Sequence, residues 1–123
     1  MSDLVAFLNA RLDEDEATAK ASVMPEWMIS ESGEFGYIVA AVGTETTGES
    51  IADAWQEDVA VHIARHDPAR VLREVEAKRA MLAELTRWPF DYRPGCNDPI
   101  RLFVHLLAAP YSDHPDWRAQ WAG

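Results

Sequence analysis

His62, Arg65, His66 and Asp67 form the tightest group of chemically capable side chains in the sequence. Residues four apart share one face of a helix, so His62 and His66 have the spacing to grip one metal ion. A complete site would need a third ligand from elsewhere, and His105, Asp113 and His114 are the candidates. The glutamate of a His-Glu-x-x-His metalloprotease motif is missing, because position 63 is Ile. A structural reading competes with the metal. His66 ends one helix, where a positive imidazole suits the dipole, and Asp67 caps the next. Arg65 then pairs with a carboxylate across the turn. An i,i+4 His pair on an apolar ridge is commonly a packed junction. The expectation is therefore a junction, with no metal and no cofactor.

Tyr111, Asp113, His114 and Asp116 form a second group. A histidine beside carboxylates could do acid-base work. The same residues also read as a plain cap before a proline-started helix, with Asp113 as cap and Pro115 just inside, and that reading is preferred. Cys96 lies in a Pro/Gly-rich loop with only Arg93 and Arg101 nearby. A reactive thiolate needs an electropositive setting and a histidine base, so Cys96 reads as a bystander. As the single cysteine it excludes an intramolecular disulfide and, within one chain, any zinc site built on two or more cysteines. The sequence has no Gly-rich phosphate loop, nucleophile elbow or Walker motif. Asp13, Glu14, Asp15 and Glu16 are a run of four acids, the candidate acidic interaction face.

Helices must position most of these groups. Leu4, Val5, Leu8 and Leu12 recur at helical spacing, which predicts an amphipathic helix over residues 3–21, ended by Met24-Pro25. Strand formers over 26–32 and 35–42, with a turn signal at Ser32-Gly33, predict a β-hairpin. A lone hairpin is marginal in water, so it must pack on helices or gain a third strand from a partner. Ser50 and Asp53 have the spacing of a capping box, which predicts a second helix beginning at Ser50. Ile51, Trp55, Val59, His62, Ile63 and His66 lie along one of its ridges. Asp67-Pro68 starts a third helix that runs to Arg87, the longest of the fold. Trp88 to Asn97 reads as a loop pinned by its aromatics. Asp98-Pro99 repeats the cap device ahead of a fourth helix, apolar on more than one face and so expected to be central and buried. A short terminal helix is expected over 113–121, stacking Trp117 on Trp121. The predicted fold is α+β, mostly helical, with about five helices packed with one β-hairpin in a single globular domain spanning 1–123.

Composition fits that size and class. The chain has 123 residues, 48% apolar and 26% charged, a globular balance. It opens without a signal-peptide pattern and has no apolar run of membrane-spanning length, so a cytoplasmic protein away from the membrane is expected. Its formal net charge of −10 is uneven. Residues 1–58 hold 13 acids and 2 bases, whereas residues 59–123 hold 8 acids and 9 bases. Such a surface repels nucleic-acid phosphates, so direct nucleic-acid binding is not expected, and the five tryptophans suit a core or interface better than base stacking.

Two segments stand out as units: His62-Ile63-Ala64-Arg65-His66-Asp67-Pro68-Ala69-Arg70 continuing to Arg79, and Leu106-Leu107-Ala108-Ala109-Pro110-Tyr111-Ser112-Asp113-His114-Pro115-Asp116-Trp117-Arg118. With the opening Leu4 to Leu8 and Arg11 to Glu16, they resemble a family of uncharacterised proteins from actinobacteria and their phages. The likeness covers most of the helical chain, and residues 24–57 match it only through Pro25 and Trp27. It implies an actinobacterial or actinophage origin and brings no activity and no catalytic residue. Some relatives carry a cysteine pair ahead of the fourth helix, where only Cys96 stands here. The expected function is that of a small acidic, non-enzymatic interaction or regulatory protein. Its acid turn and hairpin loops would share one side and bind a basic protein surface. The alternative is a metal-binding protein or metal-dependent hydrolase centred on His62 and His66.

Overall fold

Helix α1 (Ser2–Ala21) forms where the leucine spacing predicts it, with Asp3 in its first turn and Lys20 in its last, each complementing the helix dipole. The computed structural model describes residues 2–22, 24–33, 36–43, 50–87 and 99–122. Four α-helices and one three-stranded antiparallel sheet lie among them, so the fold is α+β. The chain divides into two compact units, Asp15–Glu74 on one hand and Met1–Glu14 with Val75–Gly123 on the other. No helix among the described residues is long and apolar enough to cross a membrane.

The unit Asp15–Glu74 is built on the hairpin. Strands β1 (Trp27–Gly33) and β2 (Gly36–Ala41) pair antiparallel, Trp27 opposite Ala41 and Ile29 opposite Val39. The third strand that a hairpin needs comes from the chain itself. β3 (Ala52–Ala54) pairs with β2, Tyr37 opposite Ala54 and Val39 opposite Ala52. This corrects the expected helix start at Ser50. Ser50 and Asp53 form no capping box, because the free edge of β2 holds the segment extended, with Ile51 N–H donating to the Val39 carbonyl at 2.7 Å. Gly36 makes the close approach possible. Its φ is +138°, and a Cβ there would lie 2.5 Å from the Ala54 carbonyl oxygen. Helix α2 (Glu57–Arg65) begins only after Gln56, and its Ala60 packs on Val39 and Ala54 in the core of this unit.

Helix α3 (Pro68–Arg87) has the predicted limits and equals α1 in length, at 20 residues each. Its second part, from Val75, belongs to the other unit with α4 (Pro99–Ala108) and the chain end. Leu4, Leu8, Leu12 and Val104 are fully buried there, and Val75, Leu82, Ala108 and Trp121 of the same unit are buried too. Each such aliphatic side chain contributes about 1.5–3 kcal/mol. Helix α4 is not the buried central helix its composition suggests. Among its described side chains only Val104 and Ala108 are buried, while Leu102, Phe103 and Leu106 are exposed. Apolar residues all round a ten-residue helix set no limit on how many neighbours it finds.

The expected terminal helix is also corrected. Residues 109–121 form turns, with 3-10 helices only at Ala109–Tyr111 and Ala119–Trp121. Long-range contacts explain this. Phe7 meets the Trp117 ring at 5.6 Å and the Trp121 ring at 5.1 Å, and His105 Nδ1 donates to the Trp121 carbonyl at 2.8 Å. The two tryptophans still meet edge to face, 5.5 Å apart. The helix count is therefore four rather than about five among the described residues.

Candidate functional site

His62, Arg65, His66 and Asp67 sit at the junction of α2 and α3. The His62 and His66 rings lie side by side, tilted, with centroids 4.3 Å apart and planes 35° apart, and both residues are exposed. His66 Nδ1 donates to the His62 carbonyl at 2.7 Å, so one ring nitrogen of this pair is occupied by the backbone. His105 and His114, offered as third ligands, have other partners: the Trp121 carbonyl for His105 and the Arg11 guanidinium for His114. Among the described residues no three His, Cys, Asp or Glu are grouped to hold a metal ion. Arg65 is exposed, and its carbonyl accepts from Arg70 Nη1 at 3.4 Å.

Asp67 is the structural centre of this junction. Its Oδ1 accepts the Arg70 N–H at 2.9 Å, the N-cap bond expected from Asp67-Pro68. Its Oδ2 accepts the Trp27 N–H at 3.2 Å, so one carboxylate joins the start of α3 to the start of β1. Ala69 N–H donates to the Pro25 carbonyl at 2.9 Å beside it. The first bond was legible from sequence. The second joins residues forty apart and was not.

The ridge that carries the histidines points outward. Trp55 is 84% exposed, and Val59, His62 and His66 are exposed as well. Ala60, Ile63 and Ala64 are the residues that turn to the sheet.

In the other unit, the second predicted group acquires a partner absent from the sequence reading, Arg11. Only 7% of Arg11 is exposed. Its Nη1 contacts the His114 ring and lies 3.6 Å from Asp116, its Nη2 lies 3.0 Å from Glu14, and its guanidinium stands 5.0 Å over Phe7. Arg11 Nε is buried with no hydrogen-bond partner among the described residues. Asp116 N–H donates to His114 Nδ1 at 3.0 Å. Asp113 heads no α-helix, and Tyr111 stacks with the Lys78 ammonium at 5.5 Å. The group thus fastens the tail to α1 through a buried cation. The only sequence signal for it was a basic residue within the apolar stripe of the first helix.

The acid run Asp13 to Glu16 occupies a turn within α1. Asp13 accepts from Arg79 Nη2 at 2.7 Å, Glu14 pairs with Arg11, and Glu16 pairs with Lys20 at 2.7 Å, the i,i+4 pair expected. The Asp13 and Glu14 side chains remain 68% and 57% exposed. The hairpin-loop acids Glu34, Glu45 and Glu49 lie outside the described residues, as do Cys96, the aromatic loop from Trp88 and the Asp98 cap.

No curated protein and no solved structure matches this chain. The model of one family, DUF6221, described as a family of unknown function, matches residues 1–123. The chain therefore belongs to the DUF6221 family.

Proposed function

We propose that this protein acts by binding another protein, and that the acid turn Asp13 to Glu16 of α1 is the face it offers to a basic surface. One observation carries the reading. Asp13 and Glu14 keep more than half of their side chains in solvent while Arg79 and Arg11 hold their carboxylates in place. Carboxylates already oriented lose less rotamer freedom when a partner's lysines or arginines arrive. The Asp13–Arg79 pair does not bar such a partner, because a solvent-exposed ion pair contributes only about 0–1 kcal/mol. The net charge of −10 adds long-range attraction that speeds encounter with a basic surface.

The test is to capture the partner from a lysate of the native host at low salt and to measure its association rate. Asp13, Asp15 and Glu16 changed together to Lys should slow association by about tenfold or more while helix content is kept. Raising salt from about 0.05 to about 0.15 M should slow the unmodified pair in the same direction. A captured partner indifferent to both changes refutes the reading.

A further inference from the structure

His62 and His66 are both exposed, and their ring centroids lie 4.3 Å apart. His66 Nδ1 donates to the His62 carbonyl at 2.7 Å, which fixes the proton of the neutral ring on Nδ1 and leaves the lone pair on Nε2. Metal-binding imidazoles are set in this way: a carbonyl or carboxylate holds one ring N–H, and the other nitrogen faces the ion. The His62 ring has no hydrogen bond among the described residues, so both of its orientations are open. Spacing alone favoured a metal-free junction, and it carried neither this bond nor the exposure. We infer that His62 and His66 form a two-nitrogen site for a divalent first-row transition ion, with His66 binding through Nε2 and water filling the remaining positions.

Reach, donor type and place in the fold all support that ligand. Metal–imidazole bonds are about 2.0–2.1 Å long, so two nitrogens on one ion stand no more than about 4.2 Å apart. Rings 4.3 Å apart between centroids are within that reach, and turning the His62 ring breaks no hydrogen bond. Imidazole nitrogens suit Cu2+, Ni2+ and Zn2+, with Cu2+ the most tightly held, whereas Mg2+ and Ca2+ take oxygen ligands. His62 lies in the last turn of α2 and His66 is its C-cap, where the helix dipole favours a cation. No third His, Cys, Asp or Glu among the described residues joins the pair, so the coordination is open and the ion exchangeable. A structural zinc site, by contrast, is closed by four protein ligands. The apolar core under α2, Val39 with Ala54 and Ala60, needs no ion to form. The ion is therefore a ligand of the folded chain and not a condition of folding.

Calorimetric titration of Cu2+ into the full chain, purified without a His tag, tests the site. One equivalent should bind. His62→Ala and His66→Ala should each weaken it by tenfold or more, since losing a ligand costs at least as much as losing the outer partner of one, about 10–100-fold. Zn2+ followed by the ring resonances of the four histidines should shift His62 and His66 and leave His105 and His114 in place. The nitrogen shifts of His66 should put the ion on Nε2. Mg2+ at the same concentration should move none of the four, and far-UV circular dichroism should be the same with and without a chelator. Both positions are exposed, so the alanine variants should keep the fold, and the zinc titration reads the site in the unmodified chain. No binding at about 1 mM Zn2+ overturns the inference, as does binding that survives both substitutions. Zinc on Nδ1 of His66, an equal response to Mg2+, or unfolding by the chelator overturns it as well.

Discussion

Removing the Asp67 carboxylate tests how the unit Asp15–Glu74 is held together. The side chain accepts two backbone N–H groups, Arg70 at 2.9 Å and Trp27 at 3.2 Å. In Asp67→Ala the first loss is that of an N-cap, about 1 kcal/mol. The second leaves a part-buried N–H without its acceptor, about 1 kcal/mol more. The expected cost is about 2 kcal/mol. In a chain of this size that corresponds to a fall in Tm of about 8 °C. Asp67→Asn separates the two bonds. Its single amide oxygen can accept from one N–H, while its amide nitrogen would face the other donor to donor. Asn should therefore lose about half of what Ala loses. Urea unfolding of the three proteins measures both differences, and amide exchange at Trp27 reports the second bond directly. If Ala costs less than about 0.5 kcal/mol, or if Asn is as stable as Asp, the joining role assigned to this carboxylate is wrong.

Arg11→Ala should destabilise by about 2–3 kcal/mol, because the buried stem packs among aromatics as well as carrying charge. Arg11→Met should recover more than half, since Glu14 and Asp116 are exposed and can hydrate once the guanidinium is gone. Urea unfolding decides, and equal losses for Met and Ala would place the stabilisation in the charge. Gly36→Ala should cost more than about 2 kcal/mol, because a methyl group there meets the Ala54 carbonyl at 2.5 Å on a backbone with positive φ. Amide exchange should then show β3 released while β1 and β2 stay paired, and an unchanged β3 would refute the close-approach argument.

Local signals determined the long helices. Leucine spacing set α1, and the Asp67-Pro68 cap with its apolar stripe set α3 from its first residue to Arg87. The β1–β2 hairpin was legible too, because strand formers and a turn signal act within a few residues of one another. Tertiary structure decided the rest. Ala52, Asp53 and Ala54 have no strand preference of their own, and they are extended because β2 offers an unpaired edge. Trp117 and Trp121 have helical spacing but share no α-helix, because Phe7 and His105 hold the tail from more than ten residues away. Arg11 finds His114 at a separation of 103 residues, where no sequence period connects them. Leu102, Phe103 and Leu106 show apolar character plainly, yet whether a helix buries such side chains depends on which neighbours reach it, and those neighbours come from other parts of the chain.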